Sequence, residues 1–227
     1  MEITFISDTH WLVRDKRDTD DLTDMLPGGP ILVHAGDVSG RGTEREVIQF
    51  LDWFSSLPYM HKILIAGNHD FFFEIAKPEE IKELLAKYPG ITYLNDSGVT
   101  IEGIKFWGSP ITPYFHNWAF NRFQNEIGEH WDLIPEDTDV LITHGPPNGI
   151  LDFTEYDKLN VGCPKLLEKV KQVKPKVHVF GHIHEAWGKE EMAGTIFINA
   201  SAVTLRYDLR YENPFKVNVE PNSKNLV

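Results

Sequence analysis

The sequence predicts an α/β fold with an antiparallel (α+β) component, and three observations predict it. Short apolar runs alternate with segments whose apolar residues recur at helical spacing. Most of the runs stop at a glycine or at an Asp or His cluster, as strands do at a sheet rim. Between residues 91 and 107 three runs follow closely, joined by Asp96-Ser97-Gly98 and Glu102-Gly103 turns. The 227 residues can bury a sizeable core, and no repeat or linker interrupts them, so one domain over residues 1–227 is expected.

In chain order, Glu2 to Ile6 reads as a strand that ends in Ser7-Asp8-Thr9-His10. Trp11 to Gly29 is acidic and reads as a surface loop with at most one helical turn. It lacks the Asp-x-Asp-x-Asp-Gly spacing and distal Glu of a calcium loop. Ile31 to Ala35 is a second strand, followed by Gly36-Asp37. Thr43 to Ser56 reads as a helix: Thr43 and Glu46 form a capping box, and Val47, Phe50, Leu51 and Phe54 share one face. Lys62 to Ala66 is a third strand, and Gly67-Asn68-His69-Asp70 follows it. Pro78 to Tyr88 reads as a helix with proline where a missing N–H does no harm. Ile91 to Leu94, Val99 to Ile101 and Ile104 to Trp107 read as an edge meander. Residues 109–131 are aromatic and irregular, either a lid or a helix against the sheet. Val140 to Thr143 and Val177 to Phe180 are strands that end in His144-Gly145 and Gly181-His182-Ile183-His184, with a helix from Val161 to Val173 between them. Thr195 to Asn199 and Phe215 to Val219 read as strands that finish a second sheet.

The bulk numbers narrow the chemistry. A net charge of −12 argues against a general nucleic-acid binder. The single cysteine, Cys163, excludes a disulfide framework and a thiolate zinc site, and its place at a helix start reads as structural. No apolar run reaches membrane-spanning length and no basic-then-apolar leader is seen, so a cytoplasmic protein without membrane contact is expected. His34 and His178 lie inside apolar strands and read as core groups.

Asn68-His69-Asp70 alone reads equally well as a polar turn or as a site. The other strand ends break the tie. Asp8 and His10, Asp37, Asn68-His69-Asp70, His144, and His182 with His184 all lie just past strand-like runs, where they can converge on one rim. The set is carboxylate, imidazole and amide without sulfur, which suits Mn, Fe, Zn, Ni or Co. It is too large for one ion and about enough for two, and a pair of ions some 3.5–4 Å apart clamps an in-line displacement at phosphorus.

In this order and context, Asp8-x-His10, Gly36-Asp37, Gly67-Asn68-His69-Asp70, His144-Gly145 and Gly181-His182-x-His184 resemble the calcineurin-like metallophosphoesterase superfamily. Thr143-His144-Gly145-Pro146-Pro147 and Phe180-Gly181-His182-Ile183-His184-Glu185 look like its metallophosphoesterase-domain-containing, fetal-brain-type branch. The resemblance implies a four-layer αββα sandwich of two mixed β-sheets, with a dinuclear metal site at the strand C-terminal rim. It implies that Asp8, His10 and His184 hold one ion, that Asn68, His144 and His182 hold the other, and that Asp37 bridges them. It implies two divalent or trivalent transition-metal ions, manganese foremost. His69 would contact the phosphoryl or leaving-group oxygen, and Asp70 would orient His69. Some animal members of the branch carry glycine at the position of His182, so its presence here points to a complete site.

The expected function is therefore metal-dependent hydrolysis of small phosphodiesters, 2′,3′- or 3′,5′-cyclic nucleotides among them, by attack of an activated water. The competing reading is a non-catalytic nucleotide-binding or scaffold protein on the same fold. Expected partners are a small phosphate ester or nucleotide, with no stable nucleic-acid partner. Asn68, Phe71, Tyr114, His116 and Trp118 are candidate substrate contacts.

Overall fold

A computed structural model describes residues 1–10, 16–212 and 214–221. The first half of the chain runs β1 (Glu2–Ile6), α1 (Lys16–Asp24), β2 (Gly29–His34), α2 (Glu44–Ser56), β3 (Tyr59–Leu64), α3 (Phe71–Ile75), α4 (Pro78–Leu85), β4 (Ile91–Tyr93), β5 (Ser97–Ile101) and β6 (Ile104–Ser109). Then come β7 (Thr112–Pro113), β8 (Asn121–Arg122), α5 (Ile127–Asp132), β9 (Val140–Thr143), β10 (Phe153–Thr154), β11 (Leu159–Asn160) and α6 (Pro164–Val173). β12 (Val177–Phe180), a single 3₁₀ turn (His184–Ala186), β13 (Gly188–Met192), β14 (Thr195–Asn199) and β15 (Phe215–Asn218) complete it.

Two large mixed sheets form the frame. The first has the order β15-β1-β2-β3-β4, parallel except for β15. The second has the order β13-β14-β12-β9-β6-β5, parallel in the middle and antiparallel at both edges. Successive strand side chains point to opposite faces, and the burial follows that alternation. Ile3, Phe5, Ile31, Val33 and Ile63 pack with Phe106, Val140, Ile142, Val177 and Val179 in one cluster between the sheets. Their neighbours Ile6, Leu32, Leu64, Leu141 and Phe180 face away and pack with the helices. The result is the four-layer αββα sandwich.

The helices form where their caps and periodicity predict. In α2 the Thr43 side chain accepts the Glu46 N–H, and the Glu46 carboxylate accepts the Thr43 N–H at 3.0 Å. Its Phe50 and Phe54 rings lie against His34 of β2, 5.0 and 6.0 Å away. In α6, Cys163 is the N-cap and Pro164 follows it. The Cys163 thiol is buried and accepts the Trp131 indole N–H at 3.4 Å, so its role is structural. His34 and His178 are indeed core groups: the Nε2 of His34 lies 3.0 Å from the Thr9 hydroxyl, and that of His178 lies 2.9 Å from the Thr143 hydroxyl.

Four expectations need correction. Residues 16–24 form a full helix, because Leu22, Met25 and Leu26 recur at i, i+3, i+4 and pack into the core; residues 11–15 of the expected loop lie outside the described residues. Phe215–Asn218 finishes the first sheet, not the second, antiparallel to β1. Ile91–Tyr93 leaves the expected meander and pairs in parallel with β3, so only β5 and β6 form the edge hairpin. The third strand begins at Tyr59 and ends at Leu64; Ile65 and Ala66 stay buried beyond it.

Candidate metal centre

The parallel strands deliver their C-terminal ends to one rim. There the two sheets are tied together by Ser7, whose N–H donates to Ala200 and whose carbonyl accepts from Ala202. Gly181 N donates to the His144 carbonyl at 3.0 Å, and Asp8 N to the Gly36 carbonyl at 2.9 Å. The backbone then turns sharply. Asp8, His10, Asp37 and His182 all have left-handed φ, at 52°, 44°, 56° and 69°. Such angles are unfavourable for residues with a Cβ and cluster where function demands them.

These turns aim the side chains at one another. Asp8, His10 and His184 bring one ligand atom each within 4.8 Å of the others; so do Asp37, His144 and His182, and so do His10, Asp37 and His69. Asp37 belongs to the last two of these groups, and its Oδ2 is 3.7 Å from His10 Nε2 and 3.3 Å from His144 Nε2. Asn68 Oδ1 lies 2.9 Å from His144 Nε2. All seven predicted ligands therefore meet at the rim, with Asp37 between two half-sites.

The donor set fits metal ions. His144 Nδ1 faces the Ala35 carbonyl at 3.0 Å, and His184 Nδ1 faces the Thr204 carbonyl at 3.2 Å. A carbonyl only accepts, so each Nδ1 carries the proton and each Nε2 presents its lone pair. Those lone pairs point at carboxylate oxygens, His144 at Asp37 and His184 at Asp8, 3.3 and 3.4 Å away. Lone pair against lone pair in a buried site is unfavourable unless a cation lies between. The same demand appears as proton affinity. Burial opposes charge on His144, yet Asp37 and Asp8 push its pKa up to about 9. Burial raises Asp8, yet the His184 imidazole takes it down to about 2. The cradle is also cut close: a methyl group on Gly181 would strike the Asp8 carboxylate, and one on Gly67 the Asp37 carboxylate.

His69 stands beside this cluster. Its backbone N–H donates to Asp37 Oδ1 at 2.8 Å and its ring Nδ1 meets the Gly40 carbonyl at 2.9 Å. The ring is edge-on to His10, 4.7 Å away, and stacks on Trp118 at 4.3 Å. The expected contact between Asp70 and the His69 imidazole is not formed. The Asp70 carboxylate turns inward and accepts from Gly67 N (2.8 Å), Ser39 N (2.9 Å), Val38 N (3.2 Å) and the Ser39 hydroxyl (2.6 Å). It braces the two loops that carry Asp37 and Asn68, and the Gly40 carbonyl is what orients His69.

A cleft of about 240 Å³ opens over Asp37, Asn68, His69 and His182, with Trp118 in its wall. Phe115, Leu205 and Tyr207 also line it; no motif marks them in the sequence. Tyr207 sits edge-on to His10 and His184, at 5.0 and 5.3 Å. His116 is exposed, with its ring against Phe115 and outside the cleft lining. Phe71 lies behind Trp118 at 6.1 Å, and Phe73 is a core residue stacked on Tyr93. Tyr114 stacks on Phe123 and lines a neighbouring cleft.

The sequence pattern of the calcineurin-like phosphoesterases matches residues 1–186, which contain every one of these ligands. The chain belongs to the calcineurin-like phosphoesterase family. It is 40% identical over 213 residues to human metallophosphoesterase domain-containing protein 1, an alignment covering 84% of this chain and 65% of that protein. The chain thus spans just under two thirds of that relative. A UPF0046 protein of Caenorhabditis elegans is 35% identical over 212 residues, 88% of this chain and 69% of the relative. The fold is shared with the phosphopantetheinyl hydrolase of Mycobacterium tuberculosis, with a TM-score of 0.61, 17% identity and 90% of each chain covered. The family is one of metal-dependent hydrolases, and the rim holds a candidate metal-binding cluster. Among the described residues no helix is long and apolar enough to cross a membrane.

Proposed function

We propose that this phosphoesterase hydrolyses small phosphodiesters, cyclic nucleotides among them, with two transition-metal ions, manganese the first choice. Asp8, His10 and His184 would hold one ion, and Asn68, His144 and His182 the other, with Asp37 shared. The observation that carries the reading is Asp37 Oδ2 lying between His10 Nε2 and His144 Nε2, with the Nδ1 atoms of His144 and His184 turned to carbonyls so that their Nε2 atoms face the carboxylates. When bound, the ions supply an activated water and neutralise charge on the phosphoryl oxygens.

The chain's own residues do the rest. The wall of Trp118 and Phe115 shelters the cleft from bulk water and offers flat faces to a base or ring. With Nδ1 committed to Gly40, His69 has Nε2 free to face the leaving oxygen. As water adds and the P–O bond breaks, protonated His69 delivers its Nε2 proton to that oxygen and leaves as neutral imidazole. Asp37 holds the backbone of this same residue, so the acid and the ligand cluster keep one geometry.

The test is a panel of 2′,3′- and 3′,5′-cyclic nucleotides and nucleoside monophosphates against protein loaded with Mn, Fe, Zn, Ni or Co. Turnover of diesters above monoesters supports the reading. Binding of nucleotides with no turnover under any metal would favour the non-catalytic alternative.

A further inference from the structure

The ligand cluster opens onto two clefts rather than one. The first, over His69 and Trp118, is described above. The second, of about 310 Å³, lies on the far side of Phe115, and Phe115 and His182 line both. Its remaining walls are largely apolar, with Tyr114, Pro146, Val161 and Ile183 prominent. The Tyr114 ring is propped by Phe123, 4.5 Å away. Among its lining residues Tyr114, Phe115 and Val161 are 47%, 54% and 38% exposed.

A phosphodiester carries two substituents that diverge from one phosphorus. With the phosphoryl group over the ligands, Phe115 would stand between those substituents. His69 lies in the first cleft, so the leaving group belongs against Trp118. We propose that the second cleft holds the substituent that stays on phosphorus, and that it takes an uncharged aromatic group. The volume suits a ring, and apolar pockets with few polar groups are the usual kind of ligand site. Among the described lining residues Asp157 is the one carboxylate and no lysine or arginine is present, so a second anionic group is disfavoured there. A small cyclic ester needs only the first cleft, and a diester with two aromatic arms occupies both. This inference rests on the phosphodiesterase reading and deepens it.

The test compares bis-p-nitrophenyl phosphate with methyl p-nitrophenyl phosphate, which share a leaving group and differ only in the retained arm. Val161→Trp fills the second cleft and Tyr114→Ala removes a wall. Both variants are expected to lower the bis-aryl to methyl-aryl ratio of kcat/KM about tenfold, through KM. In parallel, diphenyl phosphate is expected to bind wild type at least tenfold more tightly than dimethyl phosphate, read by intrinsic tryptophan fluorescence, and to lose most of that preference in Val161→Trp. A wild type that turns over both esters, with a ratio unmoved by either variant, overturns this inference and leaves the phosphodiesterase reading standing. A metal-loaded wild type that turns over neither ester overturns both.

Discussion

Replacing His69 by alanine separates proton donation from metal binding. The ring makes a hydrogen bond to Gly40 O at 2.9 Å and stacks on Trp118, and both are lost. The bond that ties this residue to the cluster, from its backbone N–H to Asp37 Oδ1, is kept. His69 is half-buried, so the stability cost is about 1 kcal/mol for the lost hydrogen bond and a smaller amount for the stack. Metal content should stay near wild type. The chemical step should suffer far more, by about 10²–10⁴ in kcat, the usual worth of a positioned acid, which is about 3–5 kcal/mol of barrier. The size must depend on the leaving group: p-nitrophenolate departs with little protonation, whereas a ribose alkoxide needs it. The assay is kcat for bis-p-nitrophenyl phosphate and for a cyclic nucleotide, with metal analysis of the same samples. A loss at the low end of the range for the aryl ester and at the high end for the nucleotide is expected. An equal loss on both substrates, or loss of metal, would refute the acid role.

Asn68→Ala should lower metal content, since its Oδ1 joins His144 in the second half-site, measured by elemental analysis after dialysis. Gly181→Ala should drive the Asp8 carboxylate out of position and weaken metal binding at least 10-fold to 100-fold while circular dichroism stays native. Thr43→Ala should cost about 1 kcal/mol in a denaturant melt through the lost cap. His178 is buried and its pKa is pushed down to about 3 by that burial. The unfolded chain therefore takes up the proton first, and stability falls as pH drops below about 6.5, by about 1.4 kcal/mol per unit for this one group. Urea melts from pH 7 to pH 4 should show that slope reduced by one proton in His178→Phe.

The ligands were legible in the sequence because each follows a short apolar run, and parallel strands must end on a common rim. Chain order and residue type sufficed to place Asp8, His10, Asp37, Asn68, His144, His182 and His184 together, but not their strained backbone. The role of Asp70 was misread for a local reason. Adjacency to His69 suggested contact, yet the turn after Gly67 sends consecutive side chains in different directions, and the carboxylate satisfies four buried donors instead. The helix at 16–24 was hidden because Leu22 is the one large apolar residue within it, against a background of aspartates. Phe115, Leu205 and Tyr207 reach the cleft from irregular segments, whose course no periodicity encodes. The strand at 215–218 joins the first sheet through a long return that local pattern cannot direct.

The central claim is a site for two metal ions that performs hydrolysis. The most direct measurement is the initial rate of bis-p-nitrophenyl phosphate hydrolysis as manganese is titrated into metal-free protein. The account predicts a rate that rises to a break at about two ions per chain, consistent with a two-ion clamp, and that stays near background in Asp37→Ala. A break at one ion, or no rate at any manganese concentration, would contradict it.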